Sequence, residues 1–244
     1  MTMVERITRW TVIQFRPPFY PLTRLAITFV AVVLALTSGT MVWNWLYGPK
    51  WCADGVARVG DGPESECVGA TDGSYLFAPQ LADVTAHIKA ENDWIVQSGF
   101  DYVTIAFVIP MTSDSTVVQE QILREVQGAY LAQYRANHGD NDRRPAIRLL
   151  LANPGRDSAH WRLLADQLLA MVEDPRHRLR MVVGFNASVT NTADALRYLT
   201  HHGMPVVAGP LTADDIGNSA QQPHAYPGLV KLVPNNRDQA AALA

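Results

Sequence analysis

The sequence predicts an α/β chain: one N-terminal transmembrane helix, then a three-layer lobe in which a parallel sheet lies between helices. Three observations carry that reading. Residues 25–47 hold no charged side chain, the two cysteines follow directly as Cys52 and Cys67, and from Asp101 onward short apolar runs alternate with longer amphipathic ones. Strands alternating with helices of about 10–20 residues make βαβ units, whose sheet is covered on both faces.

At 244 residues, 48% hydrophobic and 18% charged, the chain has enough apolar material for one good core plus an appendage. Its net charge of −3 argues against nucleic acid as a partner, because neutralising phosphates needs a basic surface.

The first element is the membrane span. Residues 1–24 carry Arg6, Arg9, Arg16 and Arg24 against Glu5, and the next charge is Lys50. The interval "LAITFVAVVLALTSGTMVWNWLYGP" is long enough to cross a bilayer, which takes roughly 20 residues. A cleaved signal peptide would have a shorter apolar core and a small-residue exit, whereas this run ends in "MVWNWLY". A buried core helix would lack the exit marked by Trp43, Trp45 and Tyr47, which resembles an interfacial aromatic belt. Positive flanks stay in the cytoplasm. The expectation is therefore a single-pass cell-membrane protein with a cytoplasmic basic segment at 1–24, a span at 25–47 and an extracytoplasmic main domain.

Residues 48–78 are expected to form a disulfide loop. Outside the cytoplasm Cys52 and Cys67 can close a loop of about 15 residues, which contributes roughly 3 kcal/mol by the chain-entropy model. Two free thiols are the alternative. A metal site would need two more ligands at suitable spacing, so no metal and no cofactor is implied. Cys52 also lacks the small apolar residues that precede a lipid-modified cysteine.

Next, Leu81, Val84, Ile88 and Ile95 recur at helical spacing behind Pro79, predicting a linker helix over 79–98. The lobe proper spans 99–228. Its strands are "YVTIAFVI", "AIRLLLA", "RMVVGF" and "MPVVAG", with helices near Val117–Asn137, Ser158–Glu173 and Thr192–His202. The helix stripes, such as Val118, Ile122, Val126 and Ala129, are core. Each strand ends in a small polar loop: "PMTSDS", "NPGRDS", "NASVTNT" and "GPLTADD". In open α/β sheets ligands bind outside the carboxyl ends of the strands, which puts Thr112 and Ser113 where a ligand would sit.

The succession "IAFVIPMTSDS", "IRLLLANPG", "VVGFNASVTNTADAL", "GMPVVAGPLTADDI" and "LVKLVPNNRDQAAALA" resembles the first lobe of type I periplasmic-binding proteins of the branched-chain amino acid receptor class. It is similar in particular to membrane-anchored members from actinobacteria, which share a "C…ECVG.TDGSY.F" opening. The resemblance covers about residues 101–244. It implies a small amino acid-like ligand, a transporter or other membrane protein as a further partner, and contacts from Ser188, with Thr190, and from Thr212, flanked by Leu211. Hydroxyls and helix-start amides can receive a carboxylate without a buried counter-charge.

Plainer roles fit the same residues. Thr212 to Asp215 matches a capping box, and Ser and Asp before Val117 are ordinary N-caps. Sequence motifs for phosphate loops, dinucleotide folds, hydrolase elbows and zincins are missing, so no enzymatic activity is expected. A receptor of this class closes two lobes over its ligand, and the second needs on the order of 100 residues. Residues 229–244 are therefore expected to begin a second lobe that is missing or truncated. Three readings follow: a membrane-tethered solute-binding or sensing protein, a protein interaction or assembly module reusing the lobe, and, least favoured, an enzyme.

Overall fold

Short apolar runs become strands and amphipathic runs become helices in the order the spacing implies. The structure, a computed structural model, describes residues 26–34, 37–38, 50–60, 64–139 and 145–244. Met1–Pro49 and Lys50–Ala244 are separate units. In the first, residues 26–34 and 37–38 are helical. No helix among the described residues is long and apolar enough to cross a membrane. The basic segment 1–24 and residues 25, 35–36 and 39–47 of the expected span lie outside the described residues.

The second unit opens with strands β1 (Lys50–Ala53), β2 (Val56–Val59) and β3 (Glu66–Thr71), then helix α1 (Ala82–Gln97). Then come β4 (Tyr102–Val108), α2 (Thr116–His138), β5 (Ala146–Asn153) and α3 (Trp161–Glu173). The chain continues through β6 (Leu179–Gly184), α4 (Thr190–His201), β7 (Val206–Ala208), β8 (Leu229–Lys231) and α5 (Asn236–Leu243).

The eight strands among the described residues join one sheet in the order β1-β2-β3-β5-β4-β6-β7-β8. The stretch β5-β4-β6-β7-β8 is parallel throughout, while β1, β2 and β3 pair antiparallel and extend it beyond β5. The sheet is therefore mixed rather than purely parallel. Its extra strands come from the segment expected to be a disulfide loop. The Cys52–Cys67 bridge joins β1 to β3 with Cα atoms 6.0 Å apart, within the ordinary disulfide range.

Register places an apolar row on each face, because residues paired in parallel strands point the same way. One row, Leu150, Ala106, Val182 and Val206, is buried under α3 and α4 with Leu164, Leu168, Leu196 and Leu199. The other starts at Leu151 and Phe107, packed by Ile122 and Val126 of α2 and by Val84 and Ile88 of α1. The core thus lies in two halves, one on each side of the sheet.

Two boundaries move. Helix α1 does not serve as a linker: it belongs to the helical layer, bolted there by the buried Asn92. That side chain donates to the carbonyl of Leu149 (2.8 Å) and accepts from its N–H (2.9 Å), replacing the ladder partners an edge would leave unpaired. And the sheet continues through Lys231, so the segment expected to open a second lobe at residue 229 begins with the fifth parallel strand of the same sheet.

Candidate functional site

The carboxyl ends of β4, β5, β6 and β7 share one edge of the sheet, and their loops are held by a few side chains. Asn153, at the end of β5, is fully buried. Its Oδ1 accepts from the N–H groups of Met111 (2.9 Å) and Gly155 (3.1 Å), and its Nδ2 donates to the carbonyl of Cys67 (2.9 Å). One amide therefore joins the loop after β4, the loop after β5 and the disulfide strand. Beside it, the Glu66 carboxylate accepts from the Thr112 hydroxyl (3.2 Å) and the Arg156 N–H (2.8 Å), with His160 Nε2 at 3.5 Å. Arg156 reaches on to Asp114 at 3.0 Å. A cleft of about 320 Å³ opens here, lined by Thr112, Glu66, Arg156, Tyr75 and Phe77.

The chain leaves β4 towards α2 on one face and leaves β6 towards α4 on the other. Between those two strands the winding reverses, and such a reversal opens a crevice at the carboxyl edge. Gly184 makes the approach there possible. At φ 111° a side chain would be strained, and a Cβ would collide with the carbonyl oxygen of Val108. The next residue, Phe185, adopts a left-handed φ of 60° and donates its N–H to the same Val108 oxygen at 2.7 Å. Asn186 then bonds Glu125 of α2 at 2.6 Å, tying the two sides of the crevice together.

Both helices that begin beside this crevice start without a side-chain cap: α2 after Ser115 and α4 after Val189. Among the described residues no side chain therefore occupies the first-turn N–H groups, which is where a helix start can receive an anion. Ser188 is exposed, and among the described residues its hydroxyl makes no hydrogen bond. Thr190 is the first residue of α4 and is likewise exposed.

The other residues singled out in the sequence stand differently. Thr112 has its hydroxyl committed to Glu66. Ser113 supports its own turn, its hydroxyl accepting from the Ser115 N–H (3.2 Å) and its carbonyl from Gln119 (2.7 Å). Leu211 is fully buried in the core, so its side chain does not face the edge. Thr212 caps no helix, because residues 209–228 form a long loop anchored by the buried Tyr226, whose hydroxyl accepts from Arg197 at 2.9 Å. The loop serves α5 instead: the Thr212 carbonyl accepts from the Asn236 N–H (2.7 Å) and Asp214 from the Arg237 N–H (2.9 Å). Nearby, Lys231 donates to the Ala213 carbonyl (3.1 Å), and burial pulls its pKa down.

Sequence reasoning missed Glu66, Asn153 and Arg156. The only signal for Asn153 is the "NPG" that ends β5, and nothing local marks Glu66, whose partners Thr112 and Arg156 are 46 and 90 residues away. Among the described residues no group of His, Cys, Asp or Glu could hold a metal ion. No protein-family profile matches the chain, and no curated protein matches it.

Proposed function

We propose that this chain is a membrane-tethered, extracytoplasmic, non-catalytic binding or sensing protein, and that its lobe is of the type I periplasmic-binding-protein kind. A small amino acid-like ligand sits at the carboxyl edge, its carboxylate received by the Ser188 hydroxyl and the first N–H groups of α4. The observation that carries this reading is the strand order β5-β4-β6-β7-β8, which sets the winding reversal beside two uncapped helix starts. Thr190 adds a second hydroxyl there, while Thr112 and Ser113 shape the opposite wall. One lobe touches one side of a ligand, so its own affinity is low.

Calorimetry with a panel of free amino acids tests this. Losing a hydrogen bond to a charged group costs about 1.5–3 kcal/mol, or roughly tenfold or more in affinity. Ser188→Ala is expected to weaken the best-bound amino acid by that factor while leaving the thermal midpoint unchanged. Equal affinity in parent and variant removes Ser188 from the site.

The interaction-module reading is favoured by one feature. On the face opposite α4, the row continues from Phe107 through Val183 and Val207 to Val230. Val183, Val207 and Val230 belong to neither core cluster. Val230 is 54% exposed and Leu232 68% exposed, leaving an apolar strip of the kind that binds a partner.

A further inference from the structure

At the amino edge of the parallel strands, opposite the site above, a groove of about 710 Å³ lies between the last turns of α3 and the sheet. That is the size range of small-molecule sites. Ala70 and Leu150 are its buried floor, and Met171 closes one side.

Two buried polar atoms of its lining, Arg148 Nε and Gln167 Oε1, have no hydrogen-bond partner among the described residues. Other atoms of the same side chains are engaged. Arg148 Nη2 pairs with Asp72 at 3.3 Å, and Gln167 Nε2 donates to the Gly55 carbonyl at 2.8 Å, which identifies Oε1 as the unpaired end of the amide. A donor and an acceptor are thus left unmatched beside one cavity, a costly arrangement unless something fills it.

The charges narrow what that is. Asp54, Asp72 and Asp174 outnumber Arg148 and Arg176 in the lining, and the carboxyl end of α3 adds partial negative charge, so an anion is repelled. An ammonium group cannot accept a hydrogen bond from Arg148. A hydroxyl both donates and accepts. The carboxylates are also pinned, Asp72 by Arg148 and Asp174 by Arg176 at 2.6 Å, which leaves lone pairs in fixed directions for hydroxyl donors.

We propose that this groove binds a neutral polyhydroxylated small molecule of monosaccharide size, its C–H face on Ala70, Leu150 and Met171 and its hydroxyls on Arg148, Gln167, Asp72 and Asp174. Binding turns Arg148 Nε and Gln167 Oε1 towards the ligand. The site is independent of the carboxyl-edge reading and lies across the sheet from it.

The test uses the full chain and methyl NMR, with D-glucose, D-galactose and D-mannose as probes. At least one sugar is expected to shift the methyl signals of Met171 and Leu150 and to saturate in the millimolar range. Met171→Trp, which fills the groove without removing a hydrogen bond, and Arg148→Lys, which keeps the charge but loses the Nε donor, each weaken that binding by about tenfold or more. If Arg148→Lys does not fold, Met171→Trp alone decides. Ser188→Ala leaves sugar binding unchanged. The proposal is overturned if no sugar moves those methyls, so that the groove holds water only. It is equally overturned if inorganic phosphate or L-lysine moves them instead, or if Met171→Trp binds sugar as the parent does.

Discussion

Asn153 shows how much of the carboxyl edge hangs on one amide: it satisfies the N–H groups of Met111 and Gly155 and the carbonyl of Cys67. Removing it leaves buried backbone groups unpaired, at about 1–3 kcal/mol each. Asn153→Ala is therefore expected to lose about 3 kcal/mol or more in urea unfolding, and a loss under about 1 kcal/mol would mean the loops hold themselves. A second single-residue effect is electrostatic. The hydrogen bond from Arg176 holds the Asp174 carboxyl down at about 2, from an ordinary 3.8. A carboxylate depressed on folding adds stability above its unfolded pKa and loses it as pH falls through the folded one, so this contribution disappears between about pH 4 and pH 2. Arg176→Ala is expected to move the Asp174 carbon resonance titration up towards 3.8; an unmoved midpoint would assign the depression elsewhere. Of the residues named from sequence, Ser188 and Thr190 came from the family resemblance, and they lie exposed between the end of β6 and the start of α4. Thr112 and Leu211 could not be judged from sequence, because what occupies them, Glu66 and the core, comes from distant chain.

Element by element, periodicity located the strands and helices of the lobe well, since an apolar stripe reports burial, although Val118 at the head of the α2 stripe is exposed rather than core. It could not say what each stripe packs on. Helix α1 reads as a linker because its buried contacts are long-range: Asn92 meets Leu149 across 57 residues. Replacing Asn92 with leucine leaves the Leu149 N–H and carbonyl without partners. A loss of about 2–4 kcal/mol is expected for Asn92→Leu in denaturant melts, and an unchanged midpoint would restore α1 to the status of a tether. Strands β1 and β2 are four residues each, too short for an alternation to register, so the segment reads as a loop. Helix α3 starts at Trp161 rather than Ser158 because Asp157 and Ser158 take left-handed φ values of 52° and 57°, which no propensity scale announces.

At the scale of the whole molecule, alternation of strands and helices made the α/β class legible, but not the order of strands in space. That order decides where the winding reverses, and it also admits three antiparallel strands from a segment whose sequence is dominated by turns. The disulfide spans β1 and β3 and so fastens the extension beside the cleft. The central claim is that a small ligand binds at the reversal between β4 and β6. Amide NMR of the full chain titrated with amino acids tests it most directly. Shifts concentrated at residues 112–115 and 186–191, saturating with one amino acid and lost in Ser188→Ala, are the expected result; no amide shift there at any amino acid concentration, or shifts confined to other surfaces, would contradict it.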